Sequence, residues 1–395
     1  MIERRRIAVL TTGRQDWGIL RTVCSALKEH PALDLVLVAG GMACSPRFGR
    51  VVDLIGEDGF DVAAELPWTE DAHGASRTAL EQAGDATARV GEALVRLQVD
   101  ALVLVGDRFE TLSAALAATL VGIPVVHLHG GEQTEGAMDD AIRHAVTKLA
   151  HLHLVSHPEH RDRVLALGED AASVHVVGAP GLDNLGRADL PSRAELEAKL
   201  GIALEPPLVL VTVHPTTLAL QKDEDARAVA AAMERVPATY VVTLPNADPG
   251  NEQVRAHMQG VIAKVRGVAA EALGERNYWG LLRLADALLG NSSSALIEAP
   301  ALFLPAVNVG DRQKGRRREA NVIDVPTDPD AIVAALERAL GSSFRDGLRA
   351  AGAEVIAPGS IGKKAVEILA ATSFGRPPRK KPVTLWKEGA KKNAP

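Results

Sequence analysis

The sequence predicts an α/β protein of two Rossmann-like, doubly wound parallel-sheet domains with a cleft between them. Three observations predict it. Short apolar runs alternate with helical segments through both halves, the pattern of repeated β-α-β units. Runs such as LVLVTV (208–213) are apolar on both faces, which suits parallel sheets covered by helices. And 395 residues, 47% hydrophobic, exceed one typical domain and suit two cores.

In the first half, RIAVLTT (6–12) reads as a strand, and residues 17–30 as a helix ending near Pro31. LDLVLVAGG (33–41) is a second strand, stopped by two glycines. Residues 47–57 look helical, FDVAAEL (60–66) is a short strand, and residues 76–98 form a long amphipathic helix. ALVLV (101–105), an Ala/Leu-rich helix (110–120) and PVVHL (124–128) make one β-α-β unit. A helix over AMDDAIRHAVTKL, the strand LHLVS (152–156), a helix and VHVVG (174–178) complete the first domain, 1–178. Pro180, Gly181, Gly186 and Pro191 mark a linker over 179–192. The second domain, 193–372, repeats the pattern: PLVLVTVH, a helix (222–235), TYVVTLPN, a helix (251–266), LLRLADALLGNSS, a helix from 293, PAVNVG and a helix (328–340). Residues 373–395 read as a basic, proline-containing tail, exposed or loosely docked; from Gly375 onward it carries seven Lys/Arg against one Glu.

A net charge of -6 and 3% aromatics argue against nucleic-acid binding. Cys24 and Cys44 are the only cysteines, so there is no disulfide framework, and Cys24 reads as core. The apolar run in MIERRRIAVLTTG is too short for a signal peptide or a membrane span, and the cytoplasm is the expected location.

Charge collects where open parallel sheets place ligands, at the carboxyl ends of strands. TTGRQDWGIL (11–20) turns from strand to helix and offers N–H groups plus Arg14 to an anion; the plainer reading is a helix start with Asp16 as cap and Arg14 in water. It lacks the GxGxxG spacing, so a dinucleotide is not indicated. In GDRFE, Asp107 is a strand-end carboxylate or simply a helix cap, with Arg108 or Glu110 facing the cleft. HLHGGE puts His127 and His129 on one side of a strand, and seven of the twelve histidines fall between His127 and His160. Zinc held by these with Asp139 or Asp140 is conceivable, but no HExxH occurs and no metal is expected; His151 and His153 read as structural. Asp139/Arg143 and Asp140/His144 are spaced as helix-surface ion pairs, or the helix start turns a carboxylate to the cleft. In the second half, His214 of VTVHPTT ends a strand. GNSSSALIEAP offers free N–H groups and hydroxyls for a diphosphate, with Glu298 placed for ribose hydroxyls; the plainer reading is a serine N-cap with Glu298 as its capping partner. DRQKGRRREAN is a second anion contact or a solvated basic loop.

Together, GRQDWGIL, GDRFETL, HLHGGEQTEGAMDDAIRHAVTKLAHLHLVS, HPTT, LPNADPG, GNSSSALIEAP and NVGDRQKGR resemble the hydrolysing UDP-N-acetylglucosamine 2-epimerases of sialic-acid and legionaminic-acid synthesis. They run in the family's order from residue 11 to about 325. The resemblance implies a GT-B fold, a UDP-sugar substrate, no cofactor and a homodimer. It implies that Asp107, His129, Glu132, Asp139 and His214 are the catalytic set. Arg14, Arg108, Asn246, Ser292, Ser293, Glu298 and Arg312 would bind substrate or UDP: Arg14, His214, Ser292, Ser293 and Arg312 the phosphates, Glu298 the ribose, Asn246 the sugar or nucleotide. Many sialic-acid members carry a glutamate where this chain has His129, with HIHGGE in legionaminic-type relatives, which tilts the expected substrate toward a diacetamido sugar. RRREAN has an arginine more than relatives often show. A non-hydrolysing epimerase, a GT-B glycosyltransferase and a non-catalytic UDP-sugar sensor are the alternatives.

Overall fold

The computed structural model describes residues 4–71, 73–133, 138–215, 223–244, 251–270, 273–352, 359–375 and Lys380. Asn246 lies outside them, as does most of the tail. The first unit is a seven-stranded parallel sheet of β1 (Arg5–Thr11), β2 (Leu33–Gly40), β3 (Val62–Leu66), β4 (Ala101–Val105), β5 (Val125–Leu128), β6 (Leu152–Val155) and β7 (Val174–Val176). Its order is β3-β2-β1-β4-β5-β6-β7. Ile7 of β1 pairs with Leu35 on one side and Ala101 on the other, so strand order reverses between β1 and β4. Adjacent connections leave in opposite directions there, and the crevice outside the strands' carboxyl ends opens at that point.

Helices cover both faces because their apolar positions recur every three or four residues. In α1 (Arg14–Glu29), Trp17, Leu20, Cys24 and Leu27 form one buried stripe. Cys24 is indeed core, and burial pushes its thiol far up from the ordinary range. The helix expected at 76–98 is α3 (Ala79–Arg96). It starts late because Thr78 and Glu81 close a reciprocal capping box. The segment 47–57 is a short 3-10 turn (Pro46–Phe48) followed by α2 (Val51–Glu57). α4 (Phe109–Val121) ends where Gly122 takes the left-handed conformation, φ 76°. α5 (Met138–Leu149) and α6 (Pro158–Ala166) complete the early helices.

The second unit opens with α7 (Arg193–Leu200) and holds a six-stranded parallel sheet: β8 (Leu208–Thr212), β9 (Thr239–Thr243), β10 (Gly267–Ala270), β11 (Ala287–Gly290), β12 (Ala306–Val309) and β13 (Val322–Val325), in the order β10-β9-β8-β11-β12-β13. Its reversal lies between β8 and β11. The helices are α8 (Glu224–Met233), α9 (Asn251–Ile262), α10 (Glu275–Leu284), α11 (Ser294–Ile297), α12 (Pro329–Leu340) and α13 (Ser342–Ala351).

Contacts divide the chain between Asn184 and Leu185. That boundary falls within the stretch read as a linker, 179–192, whose residues 180–186 wind into a 3-10 helix with Pro180, Leu182 and Asn184 buried. Asn184 Nδ2 donates to Gly18 O at 2.6 Å. A correction concerns the end of the domain expected at 193–372. Its last helix, α14 (Ile361–Ala371), belongs to the first unit and packs on α1. Asp183 accepts hydrogen bonds from Gly359 N (2.6 Å), Ile361 N (3.2 Å) and Gly362 N (2.8 Å), capping that helix. Arg5 donates to Leu369, Ala370 and Thr372 carbonyls at its far end. Gly362 permits the close approach, since a Cβ there would meet Thr22 O at 2.7 Å. Lys380 of the tail is docked: its Nζ pairs with buried Glu169 and donates to Lys148 O at 2.9 Å.

Candidate active site

In the first unit the polar residues gather where the sheet order reverses. Gly106 follows β4 with φ 80°, and Asp107 comes next. Beneath that turn the buried His127 ring donates from Nε2 to Gly106 O at 2.8 Å. Burial holds His127 neutral, with its pKa lowered to about 3. His127 thus supports the turn as a donor. Among the described residues no group of three or more His, Cys, Asp or Glu is placed to hold a metal.

Asp107 pairs with Arg143 of α5, a guanidinium only 1% exposed. The same fork donates to Glu132 O (2.7 Å) and to Asp140 Oδ1 (3.1 Å). Here the structure corrects the sequence: Arg143 is not a surface partner of its own helix but a buried cation joining three segments. The Asp140–His144 pair forms as spaced, at 3.4 Å. His129 follows β5 in the left-handed conformation, φ 63°, uncommon for a residue with a side chain. Its ring is 7% exposed, with Nδ1 2.7 Å from Glu132 Oε1 and a buried, unpartnered Nε2. Gly131 permits the turn: at φ 78°, a Cβ would strike His160 O at 2.2 Å. Arg108 grips buried Glu110 through two hydrogen bonds (2.8 and 3.2 Å), and Asp139 acts on it through charge. The N-cap of α1 is Gly13 and not Asp16, which is buried; burial pushes the Asp16 pKa up, against hydrogen bonds from Thr12. Arg14 is half-buried, with its Nε unpartnered.

In the second unit, His214 and the serine turn meet at the other reversal. Asn291, fully buried, ties them together. Its Oδ1 accepts from His214 N (2.8 Å), and its Nδ2 donates to His214 O (2.9 Å) and Asp225 Oδ2 (2.9 Å). Its carbonyl accepts from Arg312 (3.0 Å) and Gln313 (2.9 Å). Gly290 lets this turn sit against β8, since a Cβ there would come within 2.0 Å of Thr212 O. Burial, then the nearby Arg312 charge, lower the His214 pKa to about 4, so the ring is neutral near pH 7. Ser292 and Ser293 are half-buried on the turn. The helix expected after them is a single turn, α11; Ser293 makes no side-chain cap, and Glu298 stands at that helix's C-terminal end rather than in its first turn. The Glu298 charge instead falls on the Tyr278 phenol. Of the basic loop, Arg317 pairs with Glu319 and Arg318 with Asp324, while Arg312 reaches the serine turn.

The family profile described as UDP-N-acetylglucosamine 2-epimerase matches residues 25–369. The chain belongs to this family. The chain is 33% identical to polysialic acid biosynthesis protein P7 of Escherichia coli over 83% of this chain and 84% of the relative. It is also 33% identical to a UDP-N,N'-diacetylbacillosamine 2-epimerase (hydrolyzing) of Legionella pneumophila, over 85% and 89%. The UDP-GlcNAc 2-epimerase structure from Neisseria meningitidis superposes with a TM-score of 0.80 at 16% identity, covering 93% of this chain and 100% of the other. The two parallel-sheet domains are therefore GT-B-like in fold. No helix among the described residues is long and apolar enough to cross a membrane.

The structure shows residues that the sequence did not single out for the site: Arg143, Asn291, Asp225 and Gln313. The histidines also predict its acid stability. Unfolded histidine titrates near 6.5, whereas His127 and His160 are lowered by burial to about 3 and about 4. The unfolded chain therefore binds more protons between those values. Stability is full above about pH 6.5 and falls as pH drops toward 4, by up to ~1.4 kcal/mol per pH unit for each histidine. A midpoint in urea that does not move between about pH 7 and pH 4.5 overturns this.

Proposed function

We propose that the chain is a hydrolysing 2-epimerase. It would convert a UDP-N-acetylglucosamine-type sugar, UDP-GlcNAc or UDP-2,4-diacetamido-2,4,6-trideoxyglucose, and water into the free 2-epimer and UDP. The observation that carries the reading is the His129–Glu132 pair: a buried imidazole with Nδ1 on a carboxylate and Nε2 unpartnered. Such a ring is set to accept a proton. Two relatives at 33% identity whose names include hydrolyzing support the hydrolytic outcome. His129 in HLHGGE favours the diacetamido sugar.

In this reading His129 Nε2 takes the C2 proton while the C1–O bond to the diphosphate breaks. The C2–H electron pair becomes the C1=C2 bond of a glycal, and UDP departs. Water then adds its hydroxyl to C1, and a proton returns to C2 on the opposite face. Asp107 and Asp139 serve these proton steps. His214, Ser292, Ser293, Arg312 and Arg14 meet the negative charge growing on the diphosphate, Glu298 binds ribose, Asn246 lies near the sugar or nucleotide, and Arg108 orients the substrate. Of these donors, the Arg14 and Arg312 guanidiniums supply the positive charge that a metal supplies elsewhere. A cytoplasmic homodimer belongs to the same reading.

The test is turnover of each UDP-sugar in deuterated, heavy-oxygen water. The expected products are UDP without label and a free sugar carrying one deuterium at C2 and one heavy oxygen. An intact epimerised UDP-sugar points to the non-hydrolysing reaction. Turnover only when an acceptor sugar is added points to glycosyl transfer, and binding without turnover points to a sensor. Heavy oxygen in UDP rules out C–O cleavage.

A further inference from the structure

We propose that Ser156 and His160 are positioning residues for His129, acting through Glu132 to fix which ring nitrogen of His129 carries the proton. The proposal rests on the reading of His129 as proton acceptor and deepens it. Four polar groups lie in a row. His129 Nδ1 is 2.7 Å from Glu132 Oε1. Ser156 Oγ donates to that same oxygen at 3.2 Å. His160 Nδ1 lies 2.8 Å from Ser156 Oγ.

The direction of every bond follows from proton counting. A serine hydroxyl has one hydrogen. Ser156 spends it on the Glu132 carboxylate, which can only accept, so His160 Nδ1–H must donate to Ser156 Oγ. Burial keeps His160 neutral near pH 7, its pKa lowered to about 4, and its one proton then sits on Nδ1. At the other end, Glu132 Oε1 accepts from His129, so Nδ1 of His129 is protonated and Nε2 keeps its lone pair. That Nε2 is buried with no partner. A third group that orients an imidazole by fixing its tautomer is a recurrent arrangement in proton-transfer sites.

The backbone holds this row in place. His129 N donates to Leu154 O at 3.2 Å, on the strand that leads into Ser156. Gly131 sits directly against the His160 carbonyl, and Arg163 of the same helix donates to Gly131 O at 3.2 Å. The His129 turn and the first turns of α6 are therefore one clamped assembly. Side chains that served only packing would need no consistent donor order along three hydrogen bonds.

The test uses the full chain labelled with nitrogen-15 histidine, read by long-range proton–nitrogen correlation, with His129 assigned from its absence in His129→Phe. The unsubstituted chain is expected to show His129 protonated at Nδ1 only. Ser156→Ala and His160→Phe are expected to mix the two tautomers and to lower kcat about tenfold, with KM changed by less than about twofold. Ser156→Thr restores a hydroxyl and should recover most of that loss. Ser156→Ala removes one oxygen, so it keeps the test available if His160→Phe does not fold. An unchanged tautomer and kcat in folded Ser156→Ala and His160→Phe overturn the proposal even if His129→Phe is inactive. Full kcat in His129→Phe overturns instead the reading of His129 as base.

Discussion

Arg143→Met is expected to unfold at markedly lower denaturant and to lose about 10³-fold in kcat/KM. Methionine matches the length of the arginine stem and keeps its packing, so the effect isolates the guanidinium. That group is 1% exposed and donates to Asp107, to Asp140 at 3.1 Å and to the Glu132 carbonyl at 2.7 Å. Removing it leaves two carboxylates without their buried counter-charge and one carbonyl without its donor. Breaking a buried ion pair from one side costs about 3–5 kcal/mol; Asp107 and Asp140 are partly solvated, which places the expected loss near the lower end, about 3 kcal/mol. Activity falls further because the same fork sets Asp107 against the segment that carries Glu132. Arg143→Lys keeps the charge but reaches fewer partners, and should fall between. Urea unfolding and steady-state kinetics check both arms. A stability loss under about 1 kcal/mol together with kcat/KM within threefold would remove Arg143 from this role.

Asn291→Ala is expected to weaken UDP about 30-fold and to cost about 3 kcal/mol of stability. The side chain is fully buried and makes three bonds, two to the His214 backbone and one to Asp225. Alanine removes all three bonds, and the His214 backbone groups lose the side chain that held them. Its backbone carbonyl still accepts from Arg312, so the guanidinium is not lost outright, and kcat should change less than KM. Asn291→Asp is the sharper variant. It can still accept from His214 N, but it sets a second carboxylate against Asp225, and should be worse than alanine. Calorimetry with UDP decides: tighter binding in the aspartate variant than in the alanine variant would contradict the bracket role.

The two substitutions mark the limit of what the sequence reveals. The interior strands were legible because runs such as those of β4 and β8 are apolar on both faces. β10 and β13 were not, because GVAA and VIDV are half-buried edge strands with little apolar signal. Asp107, His129, His214 and the serine turn were legible because they follow strand ends directly. What holds them was not. Arg143 reads locally as a surface helix residue, yet one of its two carboxylate partners is 36 positions away. Asn291 looks like one more turn residue in GNSSS, and its partners lie 66 and 77 positions away. Local spacing carries no information about contacts made across a sheet reversal. The end of the domain failed for the same reason, since the capping carboxylate of α14 precedes it by about 180 residues.

That last contact has a consequence for biosynthesis. A ribosome delivers the first seven strands early, but the helix that seals them emerges only after the whole second sheet has been made. Until then the groove that Ala365, Val366 and Leu369 will fill stays open beside α1. A nascent chain stalled within the second sheet would therefore present an unfinished, sticky first unit to chaperones and proteases, and only a chain translated past α14 can close it.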